Sequence, residues 1–402
     1  MQIRPKHLPR TALTLALLGI LSAPAAAETT TDDRIKALEQ RLNALENENR
    51  ALKDQVEATG TQMDRLAGQS GSTATTIGGY GELHLNKLKN RKTGGTNKDE
   101  LDLHRIVLFM GHQFDEKMRF FSELEVEHAM AKDTATGSSG VVAVEQMYLD
   151  FSVGEALSVK AGLMVMPVGI LSETHEPPTF HGVERNPVET SIIPTTWREG
   201  GVAVTVRLTD TATLDAMVSS GLATTAAKNF AVRDGRLSGA NAKAKDPAYT
   251  ARLKWTGLPG IELAATLQRQ SDITQSVEVS AGAATLYEAH AVLNHGRFGL
   301  RGLYAGWDLD GSGPQAVGAD KQNGWYVEPA WRFSEQWGVF ARHSRWDNRA
   351  GDVADSRYRQ TDIGVNYWPH ADVVVKLDYQ NQQVAAGTDE YDGFNVGIGY
   401  QF

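Results

Sequence analysis

The last thirty residues, Val373–Phe402, read VVVKLDYQNQQVAAGTDEYDGFNVGIGYQF. From Tyr391 onward, Phe394, Val396, Ile398, Tyr400 and Phe402 fall on one side of an extended chain, and Asn395, Gly397, Gly399 and Gln401 on the other. In Val373–Gln382 the apolar set is Val373, Val375, Leu377 and Tyr379, against Lys376, Asp378 and Gln380. A soluble core would turn such apolar faces inward. Here they are expected to meet lipid, with the polar faces lining a wet lumen, as in a transmembrane β-barrel.

Moving back along the chain, the same period of two recurs in sixteen candidate strands, from Tyr80–Lys87 through Val202–Leu208 and Trp325–Phe333 to Tyr391–Phe402. Each is close to the length that spans a bilayer when tilted. Their connections alternate in length. Short ones fall at Phe114–Lys117, Ser152–Ala156, Thr209–Thr211, Thr256–Gly260, Asn294–Arg297, Ser334–Trp337 and Pro369–Asp372, with long polar loops between. Short periplasmic turns and long outer loops are the asymmetry of a barrel in a Gram-negative outer membrane. Phe298, Trp325, Trp331, Phe333, Tyr367 and Trp368, near strand ends, suit its interfacial girdles.

One connection stands apart. Met166–Arg198, MPVGILSETHEPPTFHGVERNPVETSIIPTTWR, holds five of the 13 prolines, so neither a helix nor a sheet ladder runs through it unbroken. It is expected to be an ordered loop that folds inward and narrows the pore. Its candidate site residues are Glu173, His175, Glu176, His181, Glu184, Arg185 and Glu189. The acids are expected to face wall cations such as Arg252, Lys254, Arg301 and Arg342.

The N-terminus reads as an export signal over residues 1–27: Arg4, Lys6 and Arg10, then apolar Thr11–Ser22, then Ala25–Ala27. Its removal takes the formal charge from -9 to -12, which argues against nucleic acid as a partner. Residues 28–66 carry heptads with Ile35, Leu42, Asn49, Val56 and Met63 at a and Leu38, Leu45, Leu52, Thr59 and Leu66 at d. This predicts a periplasmic coiled coil between copies of the chain, joined by a linker, 67–75, to a barrel over 76–402. Zero cysteines exclude a disulfide framework, and no apolar run is long enough for a spanning helix.

The inward charges are mixed. Arg119, Lys160, Arg252, Lys254, Arg301, Arg332, Arg342 and Lys376 compete with acids that include Glu123, Glu125, Glu127 and Glu328. An anion-selective pore would hold a ladder of cations instead. Two outer stretches, Lys87–Glu100 and Gly221–Pro247, are net basic and would bias a pore mouth toward anions or bind lipopolysaccharide phosphates. No metal site is expected, because His175, Glu176 and His181 lack ligand spacing on a helix. No triad, phosphate loop or cofactor motif is evident, so catalysis is not expected.

The segments GYGELHLNKL, ELDLHRIVLFMGHQFDEKMRFFSELEVEHA, VEQMYLDF and ETHEPPTFHGVERNPVETSIIPTTWREGG resemble the phosphate-selective porin O and P family over roughly Ile77–Phe402. The ending GIGYQF resembles the signal read through Tyr400 and Phe402 by the barrel assembly machinery. The resemblance implies a trimeric sixteen-stranded channel whose third outer loop enters the lumen. The function expected is passive diffusion of small hydrophilic solutes or ions, with phosphate among the anions it could pass. The competing reading is a structural tether of membrane to cell wall through the coiled coil.

Overall fold

The computed structural model describes residues 75–129, 140–385 and 387–402. The export signal, the heptad segment and the linker up to residue 74 lie outside the described residues. Sixteen strands form: β1 Thr75–Asn90, β2 Lys98–Gln113, β3 Met118–Glu127, β4 Val141–Gly154, β5 Leu157–Val165, β6 Arg198–Thr209, β7 Ala212–Ser219 and β8 Ala248–Leu258. They continue with β9 Ile261–Gln270, β10 Ala284–His295, β11 Phe298–Leu309, β12 Lys321–Trp331, β13 Trp337–Asp347, β14 Tyr358–His370, β15 Val373–Gln383 and β16 Tyr391–Gln401.

Every strand pairs antiparallel with its sequence neighbours, and β16 pairs with β1, so the sheet closes into a barrel. Closure leaves no unpaired edge, the condition for crossing hydrocarbon with strands. Gly79 and Phe402 exchange backbone hydrogen bonds of 2.9 Å in both directions, which places the last residue in the ladder. Connections after even-numbered strands are short and those after odd-numbered strands long, as expected. The apolar faces point outward: Phe394, Ile398, Tyr400, Phe402, Leu377 and Tyr379 are all exposed, whereas Asn395, Lys376, Asp378 and Gln380 are buried inside. Trp368 departs from the girdle expectation. It is buried, on the same face of β14 as Asn366, with the Arg332 guanidinium 4.5 Å from its ring centre.

The interior differs from a uniformly wet lumen. Met166, Val168, Val188, Ile192, Ile193 and Trp197 of the β5–β6 loop pack with Leu286, Trp307, Tyr326 and Trp346 of the wall into an apolar core. The β7–β8 loop joins this core through Leu222, Phe230 and Val232, so two long loops fold inward rather than one. Burying each such side chain contributes roughly 1.5–3 kcal/mol. Buried ion pairs return little net stability once the desolvation of both charges is counted. Apolar packing therefore dominates the seat of the loop, and its charged residues are held in place by that seat.

Candidate functional site: the loop that crosses the lumen

The prolines that excluded regular structure leave the β5–β6 loop with one 3-10 turn, Pro177–Thr179, and one short helix, α1, Val188–Ser191. Glu189 organises the loop from inside. Its Oε1 accepts the backbone N–H groups of Ile170 and Leu171, both at 2.7 Å, and its Oε2 accepts Asn186 Nδ2 at 2.8 Å and Tyr326 Oη at 3.0 Å. Gly169 is required beside it. Its φ is +78°, and a Cβ there would sit 2.5 Å from Glu189 Oε1.

The loop then crosses to the far wall. Arg301 Nη2 on β11 donates to the Thr179 carbonyl at 2.7 Å, His181 Nδ1 lies 3.0 Å from Glu328 Oε1 on β12, and the Val183 N–H donates to Asp378 Oδ2 on β15 at 2.7 Å. Pro177 packs on β16 so closely that a Cβ at Gly399 would lie 2.1 Å from the proline Cβ. The inward glycines of the C-terminal strand thus receive the loop rather than water.

Of the loop acids expected to face wall cations, Glu173 does so. Arg252 on β8 donates to its two oxygens at 2.7 and 3.0 Å and also engages Asp215 at 2.7 Å. Burial would raise the Glu173 carboxyl, but the Arg252 and Lys254 charges outweigh it and hold the group well below the usual carboxylate range. Glu184 finds His84 Nδ1 and Asn86 Nδ2, each at 3.1 Å, rather than an arginine side chain. Burial pulls its carboxyl up, yet the His84 contacts and the Asn86 bond bring it to about 2. Arg185 turns back onto the loop, donating to Thr196 Oγ1 at 3.2 Å and the His175 carbonyl at 3.3 Å. Glu176 is buried.

On the wall, Arg342 is sandwiched between Glu328 at 3.3 Å and Asp362 at 3.0 Å, and Arg119 pairs with Asp150 at 2.9 Å. Lys160 lies over the Tyr148 ring at 5.1 Å and Lys376 over the Phe180 ring at 3.6 Å. Arg332 falls in the turn after β12, not on a strand face, where its guanidinium also donates to the Glu335 carbonyl. Glu125 and Glu127 share Arg105 at 2.7 and 3.8 Å, while Glu123 is buried beside Gln146, its cross-strand neighbour.

Arg105, His104 and Glu145 were not among the expected site residues, for a specific reason. Register shifts lie where Glu82 and Leu83 of β1 face Arg105 and Leu103, and where Glu123 and Leu124 of β3 face Gln146 and Val144. His104 and Glu145 are the extra residues of two β-bulges, and each bulge reverses which residues point inward beyond it. A strict alternation misassigns everything on one side of such a point. A charged residue beside a polar one, as in Glu145–Gln146 or His104–Arg105, inside an otherwise alternating strand was the available signal.

These groups surround a cavity of about 510 Å³ on the long-loop side. Five arginines (Arg105, Arg185, Arg198, Arg233, Arg236) and five glutamates (Glu82, Glu125, Glu127, Glu145, Glu184) line it, with His84, His104 and His128. Arg233 and Arg236 come from the basic β7–β8 loop, and Arg236 Nη1 bonds the Thr195 carbonyl. A smaller cavity of about 40 Å³, lined in part by Glu173, Lys254, Glu262, Asn294 and Arg301, lies toward the short turns.

A closed sixteen-stranded barrel with apolar exterior, charged interior and a loop folded across the lumen is the architecture of an outer-membrane porin. The chain belongs to the family described as phosphate-selective porin O and P, whose model matches residues 73–402. A protein of Aquifex aeolicus (strain VF5), described as uncharacterized, is 28% identical over 366 residues, covering 81% of this chain and 80% of that one. Among solved structures, the outer membrane channel DcaP of Acinetobacter baumannii superposes with a TM-score of 0.57 at 13% identity, over 83% of this chain and 99% of its own. The trimer form of OmpT from Vibrio cholerae gives 0.54 at 10% identity, over 82% of this chain and 100% of its own. These structural likenesses show the fold.

Proposed function

We propose that this outer-membrane channel passes small hydrophilic solutes by diffusion, with the β5–β6 loop as its constriction, and that it does not select strongly for phosphate. The observation that carries this reading is the charge balance of the large cavity, five arginines against five glutamates. Opposed charges at close quarters create a transverse field that orients dipolar solutes and leaves neither sign of ion greatly favoured. Phosphate would have to break Arg105 from Glu82 and Glu125, and Arg198 from Glu145, to gain those two guanidinium groups as donors.

The same reading assigns the protein no catalytic role and no cofactor. It takes a homotrimer as the working assembly, supported by the trimer form of the OmpT fold neighbour. Outward-facing Tyr400 and Phe402 at the barrel end support delivery by the assembly machinery, and exposed Lys228, Lys243 and Lys245 of the β7–β8 loop support contact with lipopolysaccharide phosphates. The test is the reversal potential of single channels in a planar bilayer under a potassium chloride gradient, then under added phosphate. Near-equal permeabilities without phosphate block are expected. A strongly anion-selective current blocked by phosphate overturns the reading in favour of a phosphate pore, and no current at all favours a tether.

A further inference from the structure

Glu123 on β3, Glu145 on β4 and His175 in the β5–β6 loop bring ligand-type atoms of three fully buried side chains within 4.8 Å of one another. His175 Nδ1 lies 3.1 Å from the Ser172 carbonyl oxygen, which can only accept, so Nδ1 carries the proton. The bare Nε2 lone pair is then 4.0 Å from Glu145 Oε2. His175 Nε2, Glu145 Oε2 and both Glu123 oxygens meet no group at hydrogen-bonding geometry among the described residues. Buried acceptors without donors are rare, because each gives up water for nothing. Two carboxylates and a lone pair gathered within 4.8 Å of one another call for a cation between them.

We propose that Glu123, Glu145 and His175 bind one divalent cation of the zinc class, which ties the lumen-crossing loop to the barrel wall. One imidazole nitrogen with two carboxylates selects a borderline transition metal over magnesium or calcium, which prefer all-oxygen sets. Zinc bonds of about 2.0–2.2 Å place tetrahedral ligand atoms about 3.4 Å apart, so the three side chains close by about an ångström on binding. The outer contacts are those of a metal ligand set. The Ser172 carbonyl fixes the imidazole tautomer, Arg198 Nη1 holds Glu145 Oε1 at 3.1 Å, and the Tyr80 ring meets the imidazole edge-on at 5.8 Å. The site is separate from the fan of contacts that hold the loop to β11, β12, β15 and β16, and it does not depend on which solute passes.

The full-length protein in detergent, stripped with chelator and dialysed against zinc, is assayed for zinc per chain and by zinc X-ray absorption. One zinc per chain is expected, in a nitrogen and oxygen shell containing a single imidazole. His175→Gln and Glu123→Gln are each expected to weaken zinc binding at least tenfold while keeping the gel mobility shift of a folded barrel. Substoichiometric zinc in the unsubstituted protein overturns the proposal, as does a shell without imidazole. Equal retention in both variants would place the metal elsewhere, as on His84, His104 and Glu184 of the cavity, and would also overturn it. Should His175→Gln fail to fold, the absorption spectrum of the unsubstituted protein and the near-isosteric Glu123→Gln decide.

Discussion

Glu173 and Arg252 are joined by two charge-assisted hydrogen bonds, and the same guanidinium reaches Asp215, so one arginine ties the loop to two neighbouring strands, β7 and β8. Arg252→Ala removes both ties and leaves two carboxylates facing each other. Because Glu173 keeps 38% side-chain exposure, the cost is about 2 kcal/mol rather than the larger value of a sealed pair. Single-channel recordings are expected to show added open-state noise with the barrel intact. Unchanged noise would remove this pair from the constriction.

Glu189 offers a sharper test, because all of its partners donate. Glu189→Gln places an amide against one pair of donors and is expected to destabilise the loop by about 1–3 kcal/mol. Tyr326→Phe removes a single donor and is expected to cost about 1 kcal/mol. Limited proteolysis within 166–197 reads both, with Glu189→Gln cut faster than Tyr326→Phe.

The Pro177 contact predicts that Gly399→Ala displaces the loop, since the new methyl would overlap the proline ring. A changed conductance is expected. A neighbouring outward substitution, Ile398→Val, should leave conductance alone, since Ile398 is exposed on the lipid side.

Acid acts on the loop through Glu184. Its carboxyl in the folded protein lies at about 2, below the ordinary 4.5, so its contacts with His84 and Asn86 add stability above about 4.5 and lose it as pH falls toward 2. Channel noise is expected to rise between pH 4.5 and pH 2 in the parent protein. Glu184→Gln should flatten that rise.

Strand number, lumen and lipid faces, and the inward course of the proline-rich loop were legible because lipid imposes an alternation with a fixed period of two. The bulges at His104 and Glu145 were not, since one inserted residue leaves composition intact while reversing every face beyond it. The apolar core was hidden by a different rule. Leu286, Trp307, Tyr326 and Trp346 point inward, where a wet lumen would call for polar groups, and they are explained by the loop residues Ile192, Ile193 and Trp197 that cover them. Of the loop acids expected as a group to face wall cations, Glu173 meets Arg252, whereas Glu189 serves the loop backbone and Tyr326. Charge complementarity names plausible partners, but the distances that select among them come from the packed loop.

The landing points of Pro177, Val183 and Glu184 lie on β16, β15 and β1, the last two strands of the chain and the first. Those three become neighbours only when β16 has paired with β1. The loop follows the fifth strand in the sequence, yet its resting place does not exist until the final residues are in the ladder. Every partly assembled barrel therefore holds a loop without its full seat, and that seat is completed by the same event that seals the cylinder.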